Sequence, residues 1–344
     1  MILSLGRTGS MPSYADHIVC HFPEGCYDYF ISKYAINPSS ISEAQSLCTY
    51  RSGMSFLFNS LFVLPFYVLY FLPKIIKNYQ SLYLPYFHLW NFPFILVFRL
   101  LNREIIYTVH DGILHMGENS FFLQKYSDLN LKSASKLIYL TQYVKTRVEN
   151  TLKINKPSLV APHGLLENDY ICMDIPKNGK NLLLMGRISP YKGAELLAET
   201  VAEISDEIDQ CIIAGKSNYK LQIKETPKLK ILNQYLSEKK VGDLLNWADI
   251  LVLPYLEASQ SGVIALGIYA ELPMVCTQVG GLKEQLGEDE CVWVEPNRKS
   301  LKRGILELVQ SREKREFLVR RMKEKKKLLQ WENIAGNIYN FIRQ

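Results

Sequence analysis

Three short clusters hold the side chains best suited to chemistry. The first, residues 254–285 (PYLEASQSGVIALGIYAELPMVCTQVGGLKEQ), offers the carboxylate Glu257 and the uncharged polar residues Ser259, Gln260 and Ser261. Gly262 and Val263 follow at the start of a helix-like run. A residue without Cβ lets a ligand come close to backbone N–H groups. Amides that open a helix combine free donors with the positive end of its dipole, which suits an anion such as a diphosphate. The second cluster, residues 186–193 (GRISPYKG), places Arg187 and Lys192 just before another helix-like run. A fixed guanidinium fork and a point-charge ammonium are what a diphosphate needs. The third, residues 108–118 (TVHDGILHMGE), carries His110, Asp111, His115 and Glu118. Metal binding by that set is conceivable, but the spacing is too loose to define a site. A lone basic residue or histidine is usually solvated or structural, so the places of these residues in the fold must decide.

The elements needed to position them can be read from hydrophobic pattern. Residues 250–253 form an apolar run expected as a buried parallel strand. A helix over 263–270, a strand over 274–277, a Gly280-Gly281 turn and Glu284 follow. Upstream, a strand over 181–185 feeds the Arg187–Lys192 turn and a helix over 194–204. Strands over 210–214 and 228–232 and a short helix over 242–247 complete this half. In the first half, strands over 81–87 and 104–109 flank a helix over 92–101, and His110 leaves the end of the second strand. A strand over 136–140, a helix over 142–152 and a strand over 158–161 lead to Pro162-His163-Gly164. A short strand over 2–5 precedes Gly6 and Gly9, and residues 24–50 give little signal. Alternating strands and helices predict doubly wound parallel sheets, which bind ligands at the carboxyl ends of their strands.

The chain has 344 residues, enough for two domains, and 48% apolar with 22% charged residues argues for a folded protein. A balance of 40 − 34 = +6 suits a phosphate-bearing ligand or an anionic surface. Seven cysteines without regular spacing predict reduced thiols in a cytoplasmic protein, and the first residues show no secretory h-region. Residues 166–180, polar and without apolar periodicity, are the expected linker. Residues 52–73 contain no charge and are long enough to span a bilayer, but Pro65, Asn59 and Ser60 interrupt them. The expectation is a buried or membrane-touching helix, flanked by Arg51, Lys74 and Lys77, rather than a span. The basic run over 311–327 is expected as a solvated helix face, ahead of a membrane or nucleic-acid contact.

The three clusters and Pro162-His163-Gly164 together resemble the retaining glycosyltransferases of family 4, most of all the subgroup whose donor loop reads Gln-Ser-Gly-Val. The resemblance covers about residues 80–344 and implies a GT-B fold: two Rossmann-like domains facing across a cleft, with a C-terminal helix crossing back to the first. It places an acceptor domain at 1–166, a nucleotide-sugar domain at 167–326 and the terminal helix at 327–344. It also implies catalytic roles for His110, Asp111, Arg187 and Lys192. Donor contacts would come from Gly186, Arg187, Lys192, Glu257, Gln260, Ser261, Gly262, Val263 and Glu284, and acceptor-side contacts from His115, Glu118 and His163. The implied substrates are a nucleotide-diphosphate sugar and a saccharide or lipid-linked acceptor at the inner membrane surface. No cofactor, metal or nucleic acid is expected. Two departures stand out. Gly112, Leu114 and Met116 replace the prolines usual around the histidines, and the second glutamate of the donor loop is absent, its counted positions being Ala265 or Gly267. The competing readings are a non-catalytic sugar-nucleotide-binding or scaffold protein and a membrane-embedded interaction protein.

Overall fold

A computed structural model of the chain describes residues 1–7, 9, 11–36, 39–111, 121–172 and 175–344. His115 and Glu118 lie outside the described residues. The chain divides into two compact units. Among the described residues, the first comprises those within 1–111, 121–162 and 331–344, and the second those within 163–330.

The first unit runs β1 (Ile2–Ser4), α1 (Met11–Val19), β2 (Tyr29–Ser32), β3 (Gln45–Leu47), α2 (Gly53–Asn78), β4 (Ser81–Leu84), α3 (Asn91–Leu100), β5 (Glu104–Val109), α4 (Phe121–Ser133), β6 (Lys136–Tyr139), α5 (Gln142–Leu152) and β7 (Ser158–Val160). The strands pair in parallel in the order β3-β2-β1-β4-β5-β6-β7. Side chains alternate across this sheet, and both faces are buried. Leu3, Leu82, Leu84, Tyr107 and Leu137 join the core under α2, α3 and α5. Ile2, Tyr83, Ile106 and Ile138 join the opposite core, beneath α1 and the terminal helix. β2 and β3, which fall in the low-signal stretch 24–50, are short strands, β3 at the sheet edge and β2 beside it, too brief to show a period.

The second unit continues with β8 (Asn181–Met185), α6 (Ala194–Glu203), β9 (Gln210–Ala214), β10 (Leu229–Leu232), α7 (Glu238–Trp247), β11 (Ile250–Leu253), α8 (Gly262–Tyr269), β12 (Met274–Thr277), α9 (Leu282–Gln285), β13 (Val292–Val294), α10 (Arg298–Gln310) and α11 (Arg312–Leu328). Its parallel sheet has the order β10-β9-β8-β11-β12-β13. In both units the strand order reverses beside the first strand, at β1/β4 and at β8/β11, where doubly wound sheets open a ligand crevice. The last helix, α12 (Trp331–Arg343), belongs to the first unit. Trp331 packs edge-on to Tyr14 and flat on His17 of α1, at ring separations of 5.6 and 5.2 Å.

Two helices differ from their sequence expectations. α2 continues through Pro65 and Pro73 to Asn78, opened by a capping box between Ser52 and Ser55. It is fixed to its unit by one face, through Leu64, Phe71 and Ile75 in the core. The basic helix α11 is not simply a solvated face, because much of its charge is paired. Lys325 meets the mostly buried Glu290 at 2.8 Å, Lys323 and Lys326 reach Glu271 at 3.4 and 3.5 Å, and Arg321 reaches Asp289 at 3.1 Å.

Candidate functional site

The exits of β8 and β11 meet at the second unit's switch point. Gly186 follows β8 with φ +105°, a conformation side chains rarely adopt, and its N–H donates to Ala214 O at 3.0 Å. A Cβ there would sit 3.2 Å from Val263 Cγ2, so the first turn of α8 lies against this glycine. After exposed Arg187, a single 3-10 turn (Pro190–Lys192) leads to Gly193 at φ +69°. A Cβ on Gly193 would fall 2.0 Å from Pro254 O. The two exit loops therefore touch backbone to backbone, which only glycine permits. Leu256 N–H donates to Tyr191 O at 2.7 Å and holds the same junction.

Lys192 lies across this junction. Its Nζ is 3.8 Å from the centroid of the Tyr255 ring, a cation–π contact that keeps the ammonium at the β11 exit. Tyr255 is fully buried, its phenol pairs with Ser261 Oγ at 3.1 Å, and burial pushes its pKa well up, so it stays neutral. Thr277 Oγ1 reaches the carbonyls of Leu253 and Tyr255 at 3.2 and 2.6 Å and fixes the start of the loop. At its end Gln285 brackets one residue: its Oε1 accepts from Ser261 N–H at 2.6 Å, and its Nε2 donates to Ser261 O at 3.2 Å.

That bracket determines which amides face a ligand. Ser261 N–H is occupied, so the donors at this helix end are Gly262 and Val263, and Ser261 contributes its position rather than its amide. α8 has no side-chain cap, which leaves its first turn to be satisfied by water or an anion. Glu257 is half-buried in the same loop, and Gln260 Oε1 is buried without a donor among the described residues. Glu284 is exposed, on the short α9. Neither Gln285 nor Tyr255 stood out in the sequence, since each gains its role only from a contact made across the loop.

In the first unit His110 leaves β5 at 7% exposure, and its Nε2 lies 3.0 Å from Pro85 O. A carbonyl only accepts, so Nε2 carries the proton and Nδ1 is a lone-pair acceptor, without a donor among the described residues. Burial lowers the His110 pKa against the raising effects of that hydrogen bond and of Asp111, which favours the neutral ring. Tyr14 packs edge-on to it at 4.5 Å, and Asp111 is exposed beyond it. Nearby in sequence, Tyr86 OH accepts from Gly6 N–H at 2.8 Å and pairs with Ser4 Oγ at 2.8 Å, closing the β1 exit onto the β4 exit. His163 groups with the second unit, buried, its Nδ1–H donating to Gly164 O at 2.7 Å. Among the described residues, no group of three or more His, Cys, Asp or Glu could hold a metal ion.

The comparisons with known proteins agree with this geometry. Residues 179–311 match the family model "Glycosyl transferases group 1". The chain is 26% identical over 242 residues to the uncharacterized glycosyltransferase MJ1178 of Methanocaldococcus jannaschii, an alignment covering 68% of this chain and 66% of that protein. It is 26% identical over 246 residues to the GPI3 subunit of phosphatidylinositol N-acetylglucosaminyltransferase of Saccharomyces cerevisiae, covering 61% and 53%. The chain thus spans between half and two thirds of the length of these relatives. Among solved structures, Anabaena HepE in complex with UDP and glucose superposes with a TM-score of 0.78 at 14% identity, covering 100% of this chain and 99% of that one. Sucrose-phosphate synthase from Thermosynechococcus elongatus superposes at 0.75 and 15% identity, covering 100% and 98%. Residues 179–311 therefore match a group 1 glycosyltransferase domain, set in a chain whose fold is GT-B.

Proposed function

We propose that this protein transfers a sugar from a nucleotide-diphosphate sugar to a saccharide or lipid-linked acceptor, with retention of anomeric configuration, as a family 4 enzyme of the Gln-Ser-Gly-Val subgroup. The observation that carries this reading is the junction of the β8 and β11 exits. There Arg187 and Lys192 share one crevice edge with the uncapped N-terminus of α8. Three positive features at a switch point suit one ligand class, a diphosphate. HepE, of the same fold, is described with UDP and glucose, which favours a uridine nucleotide as the first donor to try.

In this reading the acceptor hydroxyl oxygen bonds to the anomeric carbon as the bond from that carbon to the β-phosphate oxygen breaks. The hydroxyl proton passes to the departing diphosphate. Arg187, Lys192 and the Gly262 and Val263 amides stabilise the charge growing on the leaving oxygens, a preorganised electrostatic effect that needs no metal. His110, neutral and with Nδ1 lacking a donor among the described residues, takes a hydrogen bond from a hydroxyl of the transferred sugar. Asp111 flanks it, Glu257, Gln260 and Glu284 contact the donor, and His115, Glu118 and His163 serve the acceptor side. The setting is assembly of cell-surface polysaccharide or glycolipid at the inner face of the membrane.

The test is a thermal-shift panel of nucleotide sugars, followed by transfer assays with and without EDTA. A donor at one hundred times its Kd should stabilise the protein by about 2.7 kcal/mol. EDTA should leave turnover intact, and His110→Ala should lower kcat more than donor affinity. Binding without hydrolysis or transfer would favour a scaffold, and no stabilisation by any nucleotide sugar would remove the reading.

A further inference from the structure

α2 turns toward solvent the kind of face that a surface helix usually fills with charge. Phe58, Leu61, Phe62, Phe66, Leu69 and Tyr70 recur at steps of three and four residues, and each is 57–69% exposed. Phe58 and Phe62 lie 4.7 Å apart, and Phe66 stacks on Tyr70 at 6.2 Å, so the rings form one continuous outer surface. Contiguous apolar surface of this kind marks an interaction site.

The other face of the helix is committed to the unit. Leu64, Phe71 and Ile75 are in the core, and Trp90 Nε1–H donates to Ser60 Oγ at 2.8 Å. Tyr67 OH accepts from Cys48 N–H at 2.9 Å, and the Arg103 guanidinium donates to the carbonyls of Ile75, Ile76 and Tyr79 at the helix end. α2 is long and apolar enough to cross a bilayer. Crossing would strip these contacts and uncover the sheet, so the helix stays with its unit.

Charge identifies the occupant. No Asp or Glu occurs between Glu43 and Glu104, whereas Arg51, Lys74, Lys77, Arg99 and Arg103 all do. Arg51 sits exposed before the first turn of α2, and Lys74 and Lys77 sit exposed in its last turns. A second copy docked on this face would bring cations against cations with no local carboxylate to offset them. An anionic leaflet offers the complement: acyl chains for the rings and headgroups for the basic ends. We propose that the first unit docks on an anionic lipid bilayer through the outer face of α2, which lies in the interfacial plane without crossing it. This goes beyond the transfer reading and does not depend on it, since it requires neither donor nor acceptor.

The test is co-sedimentation of the full chain with phosphatidylcholine vesicles, with and without phosphatidylglycerol, read without any activity assay. Wild type should sediment with the anionic vesicles and be released by alkaline carbonate. Phe62→Glu/Phe66→Glu should weaken lipid binding at least about 100-fold, from the lost burial of two rings. Lys74→Glu/Lys77→Glu should weaken binding to anionic vesicles at least about 25-fold, with little change on phosphatidylcholine alone. Melting curves should match wild type, because these side chains are already solvent-exposed. If the glutamate pair unfolds the protein, Phe62→Ser/Phe66→Ser takes its place. Wild type that stays in the supernatant with anionic vesicles overturns the proposal. So does wild type that resists carbonate, which indicates a span. A dimer that the ring substitutions dissociate and lipid does not compete with also overturns it, assigning the face to a second copy.

Discussion

At the exits of β1, β4 and β5 the first unit buries rings. Tyr86 closes over Gly6, His88 stacks on Tyr50 at 5.9 Å, and His110 lies against Tyr14. At the exits of β8 and β11 the second unit has cations, glycines and an uncapped helix end instead. The strand order is the same, with the reversal beside the first strand in both. Topology thus supplies a crevice twice, and the side chains leaving the strands decide what each can hold. Buried neutral rings suit an uncharged sugar or hydroxyl, and fixed positive charge suits a phosphate. A chain-fold likeness alone would not separate the two.

The contrast can be broken most strongly through pH. Burial pushes His88 down to about 4, from an ordinary 6.5. A neutral histidine in the folded state adds stability above its unfolded pKa, and that stability is lost as pH falls through the folded value. The 2.5-unit difference corresponds to about 3 kcal/mol, lost between roughly pH 6.5 and pH 4. His110, lowered in the same direction, adds to the loss. Urea melts from pH 7 to pH 4 should show this slope, and His88→Gln should flatten it. An unchanged slope in that variant would mean that other groups control acid stability.

In the second unit, Arg187→Ala and Lys192→Ala should each cost on the order of 1.5–3 kcal/mol of donor binding, a rise of about ten- to a hundred-fold in donor KM, with acid stability unaffected. Lys192→Ala also loses the contact on Tyr255, so a small drop in melting temperature is expected for it alone. Normal donor kinetics in both variants would detach the cations from the site.

The smallest effect is expected at Gln285. Gln285→Ala removes both hydrogen bonds to Ser261 and loosens the loop that opens α8. About 1 kcal/mol of donor affinity should be lost, seen by calorimetry, with Gln285→Glu recovering little because a carboxylate cannot donate to Ser261 O. If Gln285→Ala binds donor as wild type does, the bracket is packing and nothing more.

The sequence alone determined the strands and helices around the three clusters, because they follow local rules. Buried parallel strands read as apolar runs, as at 250–253 and 181–185, and glycines mark where backbones must approach. The same rules placed Arg187 and Lys192 before a helix and His110 at a strand end. Short strands such as β2 and β3 carry too few residues for a period, so they were invisible. Only the tertiary structure decided that Gly193 meets Pro254, that Lys192 rests on Tyr255, and that Gln285 takes the Ser261 amide. Those are contacts between distant positions, with no trace in local pattern. The uncharged run of α2 was plain in the sequence, but which of its faces is buried was not. That is set by Trp90, Cys48 and Arg103, residues outside the helix that fix its rotation on the sheet.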